Sequence, residues 1–458
     1  MTDRPNVFCY IRPWNADQFT FLARQIAPAA QVIRCSEHVK VDEAGFSTGY
    51  YCHLKASILR QDLSLAGISE TEIADVIRRC RLLRQLPSSE ARRHVWAMGS
   101  AIADALDKYH PSLVLSLTID SYIMDLLRLL AEARQVQFVA FIGTFVNGYY
   151  RVSARGEPNF NPAADLSIMS DLKEKLLKDN YTPAFNATSL SRPRRSVYRR
   201  WAANVARVPY FWFKRIMSGD YYNYHYWVSQ LISAEQFHLL PPSDPGDSDW
   251  MQKVRNSQCP RLFIPLQMFP ECTVDYWCQD TRVIDYYQTL NLLVERLSTC
   301  FHVVVKEHPS VMGSRPAGFY SALSKDTRIT VVPTYVASNE VLKEVDGVVV
   351  WTGSVGFESM LRGKPVFGLA RPFYASGDRF CVIEREPDLE VMKRHLEAWK
   401  SQPVTAEEQD TMLAYLAKQL FKGDFINDGS WTLSNPEHVS QAEGVARSFL
   451  QSLSGAMS

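Results

Sequence analysis

The sequence predicts an α/β protein made of two parallel-sheet, Rossmann-like domains followed by a helical tail. Three observations lead there. Apolar, β-branched runs alternate with amphipathic helical segments through the first 150 residues, with polar loops where the runs end. The same alternation resumes at Arg261. Between the two series, Pro241-Pro242-Ser243-Asp244-Pro245-Gly246-Asp247 is proline-rich, polar and short, as a linker is. At 458 residues the chain is also too long for one typical core. We therefore expect an N-terminal domain over 1–245 with a helical, basic-aromatic insertion at about 152–240. A second domain follows over 246–425, then a tail over 426–458.

In the first half, Val7–Ile11 reads as a strand, Ala16–Ile26 as a helix and Gln31–Arg34 as a strand. Apolar spacing predicts helices over Glu70–Leu86 and Ser89–Lys108, broken by Pro87 and Ser88. Leu113–Leu117 is a buried-strand run that ends at Asp120. Ser121–Ala133 is the next helix, and Val136–Ile142 the strand after it. From Val152 to Pro245 the alternation disappears. Arg192–Gly219 carries eight basic residues and no acidic one, interleaved with Trp201, Tyr210, Phe211, Trp212 and Phe213. Aromatics continue to Trp227. The stretch 192–227 suits an anionic membrane surface or a polyanionic, lipid-linked substrate. The plainer reading, preferred for most of these side chains, is a helical excursion with core aromatics and solvated arginines.

In the second half, strands are expected at Arg261–Leu266, Phe301–Val305, Ile329–Val332 and Gly347–Trp351, and helices at Thr281–Thr299, Arg315–Leu323 and Ala337–Val345. Val355–Arg362 is helical, Gly363 ends it, and Pro365–Phe367 begins another strand. Asp388–Ser401, Ala406–Leu420 and Glu437–Leu453 complete the helical set.

A formal charge of +1 argues against a protein built around nucleic acid, and 46% hydrophobic with 22% charged residues is the composition of a soluble globular chain. The nine cysteines are scattered and form no C-x-x-C pair, so reduced thiols in a cytosolic protein are expected and no metal site is. No signal-like core and no run of about 18 apolar residues is present.

Three strand ends of the second half offer polar loops that one sheet edge can bring together. The first holds Gln267 and Glu271. The second is Lys306-Glu307-His308-Pro309, and the third is Thr352-Gly353-Ser354-Val355-Gly356-Phe357-Glu358. His308 can hydrogen-bond a phosphate or, protonated, neutralise it, and Pro309 biases His308 toward an extended backbone. Lys306 adds a point charge. Ser354 can cap the helix after it, with Gly353 and Gly356 admitting a phosphate to the first N–H groups. Glu358 could accept ribose hydroxyls. For each residue taken singly a structural role is the stronger reading. A G-x-G-x-x-G fingerprint and a Walker A motif are both absent. In the first half, Asp120 is a candidate base, with Thr144, Asn147 and Arg151 near the next strand end. Two such halves facing one another would leave a site between domains.

Taken together, PLQ…E, KEHP, TGSVGFESMLRGKPVFGL and the tail Arg371–Gly377 resemble the capsule polysaccharide biosynthesis proteins that include bacterial β-Kdo transferases. The resemblance is clearest over Pro260–Gly377. It implies a GT-B glycosyltransferase with a cleft between two Rossmann-like domains and the activated sugar held mostly by the second. It further implies that His308 and Pro309 contact the phosphate of a CMP-sugar, with Ser354, Val355 and Gly356 beside it. No metal or other cofactor is implied, since side chains and a helix start stabilise the charge. The usual donor is CMP-Kdo and the acceptor a growing glycolipid or polysaccharide at the inner membrane face. Gly353-Ser354 stands where paired serines are expected. The catalytic carboxylate stays open among Asp120, Glu271 and Glu307. A nucleotide-sugar epimerase of similar architecture, or a non-catalytic sugar-binding subunit of an export assembly, are the alternative functions.

Overall fold

The structure, a computed structural model, describes residues 4–162, 164, 166–178, 181, 183, 193–425 and 429–455. Its strands, in chain order, are β1 (Asn6–Tyr10), β2 (Gln31–Cys35), β3 (Pro111–Leu117), β4 (Gln137–Gly143), β5 (Tyr149–Val152) and β6 (Arg261–Pro265). After these come β7 (His302–Lys306), β8 (Ile329–Val332), β9 (Gly347–Val350), β10 (Val366–Gly368), β11 (Phe380–Val382) and β12 (Phe421–Lys422). They form two six-stranded sheets, ordered β12-β5-β4-β3-β1-β2 and β11-β10-β9-β6-β7-β8. Two Rossmann-like α/β units and a C-terminal helix are what the GT-B expectation requires, and they are what is found.

The first unit comprises 1–164, 212–228 and 418–458. Strands β1 to β4 are parallel, whereas β5 runs antiparallel to β4 and β12 antiparallel to β5. Ser121 caps the helix Tyr122–Glu132 through the Met124 N–H, which turns the chain sharply after β3. The second unit comprises 165–211 and 229–417. All six of its strands are parallel. Such a sheet needs both faces covered, and β7 and β9 are accordingly buried along their whole length. Trp351, fully buried, closes the core at the end of β9: its ring lies 4.9 Å from Tyr286 and its N–H donates to the Val283 carbonyl at 3.2 Å.

These units do not follow the linear boundaries expected at 245 and 425. The proline-rich stretch at 241–247 is no free linker but a strap on the end of β8 inside the second unit. The Asp244 carboxylate accepts from the Thr334 N–H (3.0 Å) and hydroxyl (3.1 Å), and the Asp247 N–H donates to the Val331 carbonyl (2.8 Å). Gly246 lies so close that a Cβ would stand 2.2 Å from Pro333 Cα. Nor is the C-terminal segment a separate tail. It returns to the first unit, where β12 extends the sheet, the helix Pro436–Gly455 packs on Ala16–Ile26, and Trp431 meets Phe21 with ring centroids 5.8 Å apart. Among the described residues no helix is long and apolar enough to cross a membrane, and all nine cysteines are free thiols.

Tyr150 on β5 ties the last helix down: its hydroxyl donates to the Val445 carbonyl and meets Ser448 Oγ, both at 2.9 Å. Tyr150→Phe should cost about 1–2 kcal/mol, since the buried Val445 carbonyl and the Ser448 hydroxyl each lose a partner. Urea unfolding and faster amide exchange in Pro436–Gly455 would register it.

Candidate functional site

In the second sheet the chain lays down β6, β7 and β8 in one direction and then crosses back to place β9 on the other side of β6. The strand order therefore reverses between β6 and β9, and ligands of open α/β sheets sit outside the carboxyl ends at such a point. Gln267 follows β6 and Thr352 follows β9. Gln267 Nε2 lies 3.4 Å from Thr352 Oγ1 and 3.1 Å from Thr273 Oγ1, so its amide spans the switch point. Thr273 in turn donates to the Glu271 carboxylate at 2.6 Å, and Gln267 Nε2 reaches the same oxygen at 3.5 Å. The sheet thus gathers Gln267, Glu271 and Thr352, with Thr273 as a member the sequence pattern did not single out.

On the other side of β6, β7 ends in Lys306-Glu307-His308-Pro309. Lys306 is buried, and its ammonium donates to the Glu307 carbonyl at 3.2 Å. Among the described residues no carboxylate comes within 4 Å of it. Burial pushes its pKa down to about 8, against the pull of Glu307, Asp244 and Glu358. Glu307 is not available for chemistry. It accepts two bonds from Arg315 at 2.7 Å, one from the Tyr320 hydroxyl at 2.7 Å and one from the His308 N–H at 2.6 Å. Those four bonds match the acceptor capacity of a carboxylate. Arg315 also donates to the Gln267 carbonyl at 2.7 Å, so the buried pair locks the loop after β6 to the loop after β7.

His308 takes the extended backbone its proline demands (φ −73°, ψ 126°). Its Nδ1 accepts from the Ser310 N–H at 3.2 Å, which puts the proton of the neutral ring on Nε2. Burial pushes its pKa down to about 4. The protonated histidine considered from sequence is therefore not the resting form. A neutral imidazole offering an N–H is.

The loop after β9 differs from its expected chemistry in two respects. Ser354 is already helical (φ −60°, ψ −23°) and its side chain makes no cap hydrogen bond, because a cap needs an extended backbone there. Gly356 gives its N–H to the Gly353 carbonyl at 3.1 Å and does not leave it for a ligand. Its missing side chain serves packing: a Cβ would stand 2.5 Å from the Tyr374 hydroxyl, which donates to the Gly353 carbonyl. Val355 comes directly after Ser354, on the short helix Val355–Leu361. Glu358, half-buried one turn on, has its pKa raised to about 7 by burial, with Arg362 and Lys306 opposing.

Asp120 lies in the first unit, just after β3, with Arg12 just after the neighbouring β1. Arg12 donates to both its carboxylate oxygens at 2.7 Å, and a further Arg12 bond goes to Glu37 at 3.0 Å. Arg151 is a buried donor to the Glu157 carbonyl, and Thr144 bonds within its own turn. Among the described residues no three His, Cys, Asp or Glu gather as a metal site.

The basic-aromatic stretch forms the helix Pro193–Met217 and continues into the helix Tyr224–Glu235; Arg192 lies outside the described residues. The plainer reading holds for Tyr224, which is buried, and for Trp201, Phe211, Tyr222, Tyr226 and Trp227, which are partly buried; it fails at Tyr210, Trp212, Phe213 and Tyr221, which are exposed together with Tyr198, Ile216 and Met217. Arg194, Arg195, Arg199 and Arg207 are exposed as well. Arg200 differs: it is half-buried and donates to the Met312 carbonyl.

The three loops after β6, β7 and β9 fall within a segment with known relatives. Residues 227–377 match the family model described as capsule polysaccharide biosynthesis protein, the family that the motifs resemble. A stretch of 85 residues is 33% identical to the capsule polysaccharide modification protein LipA of Neisseria meningitidis serogroup B, covering 18% of this chain and 12% of that protein. The chain thus matches about an eighth of that relative's length. Among solved structures, the β-Kdo 2,7 transferase of Thermosulfurimonas dismutans KpsC is similar at 12% identity and a TM-score of 0.36, over 97% of this chain and 99% of that one. A putative UDP-N-acetylglucosamine 2-epimerase of Listeria monocytogenes is similar at 11% identity and a TM-score of 0.30, over 100% and 97%.

Arg315→Met would leave Glu307 charged and buried, at a cost of about 3–5 kcal/mol. Adding Glu307→Gln should recover part of that loss. Denaturant titration of the single and double variants checks both statements.

Proposed function

We propose that this chain is a glycosyltransferase that takes a nucleotide sugar, with CMP-Kdo as the donor best matched by its motifs, and extends a bacterial capsule polysaccharide or glycolipid. The observation that carries the reading is Lys306: a buried ammonium, without a carboxylate within 4 Å among the described residues, at a sheet edge beside an N–H-bearing His308. A buried cation without a carboxylate in direct contact favours a bound anion. The family match over 227–377 supports a capsule product.

In this reading Lys306 and the His308 Nε2–H meet the departing phosphate, without a metal ion. Gln267, Thr352, Gly353 and Ser354 line the phosphate and sugar, and Glu358 holds the ribose. Pro309, Val355 and Gly356 shape the loops. Glu271, oriented by Thr273 and Gln267, is the carboxylate that acts on the sugar. The exposed aromatic and basic face of Pro193–Met217 rests on an anionic membrane surface, as suits a lipid-linked acceptor.

A panel of CMP- and UDP-sugars with capsule oligosaccharides, monitored by nucleotide release, tests the whole. Acceptor-dependent release from a CMP-sugar supports it. Release of free, epimerised sugar without acceptor would make the chain an epimerase, and binding without turnover would make it a carrier. His308→Ala should lower kcat about 100-fold or more with the fold intact, and Glu271→Gln similarly.

Nucleotide binding should weaken as pH rises from about 7 to about 9. Lys306 loses its positive charge on passing about pH 8, while Glu358 gains a negative one on passing about pH 7, so both changes oppose an anion. The second ionisation of a phosphate, at about pH 6, lies below this window. Calorimetry across the range should show the upper limb flattened in Lys306→Met and the lower limb in Glu358→Gln. For the membrane face, Trp212→Ser with Phe213→Ser should lower partition into phosphatidylglycerol vesicles about ten-fold or more.

A further inference from the structure

The basic helix has one arginine that does not face outward. Val197 is buried and lies against the loop after β7: a Cβ on Gly313 would stand 3.4 Å from Val197 Cγ1. Arg200 is three residues further on, hence on the same helix face. Its guanidinium donates to the Met312 carbonyl of that same loop, four residues beyond His308. Among the described residues no carboxylate lies within 4 Å of it. Its charge acts on His308, Glu307, Tyr320 and Tyr335, and burial lowers its pKa.

A clamp on a carbonyl would use one of the five donors of a guanidinium. It would also leave a desolvated cation without a carboxylate in contact, acting on the same His308 as the buried Lys306, and that arrangement is unfavourable without an anion. Glu307 cannot serve both, since its carboxylate is already bonded by Arg315, Tyr320 and the His308 N–H. The phosphate of a CMP-sugar carries a single charge, which accounts for one of the two cations only.

We propose that Arg200 reads a second anionic group on the donor, a carboxylate on the sugar or a second phosphate, in addition to the phosphate met by Lys306 and His308. The proposal rests on the nucleotide-sugar reading of this site. A guanidinium fork matches either group with two parallel bonds, which a lysine does not. Arg200 is thereby a specificity residue supplied by the inserted helix, and it selects acidic sugars or diphosphates over monophosphate esters of neutral sugars.

Titration calorimetry with CMP, CMP-N-acetylneuraminate, UMP and UDP, on the wild-type protein and on Arg200→Gln and Arg200→Lys, tests it. Wild-type protein should bind CMP-N-acetylneuraminate more tightly than CMP, or UDP more tightly than UMP, and the pair that differs identifies carboxylate or phosphate. Arg200→Gln should erase that difference, a loss of about ten-fold or more, and leave the monophosphates within about two-fold. Arg200→Lys should keep part of the preference. Equal weakening of all four ligands, together with a lowered thermal midpoint, would make Arg200 a clamp and overturn the proposal. So would a wild-type protein that binds CMP as tightly as CMP-N-acetylneuraminate and UMP as tightly as UDP. Wild-type protein that binds none of the four would sink the nucleotide-sugar reading itself.

Discussion

The Glu307–Arg315 ion pair is the constraint on which the second unit's site depends. Both side chains are almost wholly buried. Buried pairs contribute little net stability, because desolvation offsets much of the attraction. Their value lies in direction. Arg315 reaches the Gln267 carbonyl while it holds Glu307, and Glu307 holds the His308 N–H while it accepts from Tyr320. The rings of Tyr286 and Phe319 lie 5.5 and 5.6 Å from the Arg315 guanidinium, which adds cation–π contact on its faces. Two loops that leave adjacent strands are thereby fixed to one another by a network with its central polar groups matched.

That network also decides which charges the site presents. With Glu307 taken by Arg315, Lys306 is left as a buried cation that donates to the Glu307 carbonyl and feels the carboxylates of Glu307, Asp244 and Glu358 through space. Burial moves Lys306 and Glu358 toward one another on the pH scale, to about 8 and about 7, a pattern that marks functional sites more often than structural ones. His308 contributes differently. Its ring is kept neutral by burial and its tautomer is set by the Ser310 N–H, so it offers direction where Lys306 offers charge.

Much of this was legible in the sequence. Strands such as β7 and β9 are β-branched runs that end at polar loops, and their parallel pairing follows from the helices between them. The three loops were legible for the same reason, and His308's backbone followed from Pro309. What escaped depends on partners distant in sequence. A two-residue strand such as β12 has no periodicity to read, and the helix Phe46–Ala56 hides in a segment with a glycine and two adjacent tyrosines in its midst. The proline-rich strap looked like a linker because Asp244's partner, Thr334, is 90 residues away. Gly356 carried the spacing of a phosphate loop, yet its lack of a side chain answers to Tyr374. Arg200 was one of eight basic residues in a row of similar neighbours, and only the packing of Val197 on Gly313 sets it apart.

The same dependence on partners separates the three carboxylates that sequence left equivalent. A carboxylate serves as base or nucleophile through its lone pairs, and an arginine that takes them both fixes and weakens it. Glu307 is fully engaged by Arg315, Tyr320 and the His308 N–H. Asp120 has both oxygens in the fork of Arg12, an arrangement that suits holding a ligand in place more than attacking one. Glu271 accepts from the Thr273 hydroxyl and the Gln267 amide, which orient its carboxylate. It also stands beside Gln267 and Thr352, at the point where the strand order reverses. Glu307 and Asp120 each sit in the fork of an arginine, and Glu271 is the one of the three placed at that point.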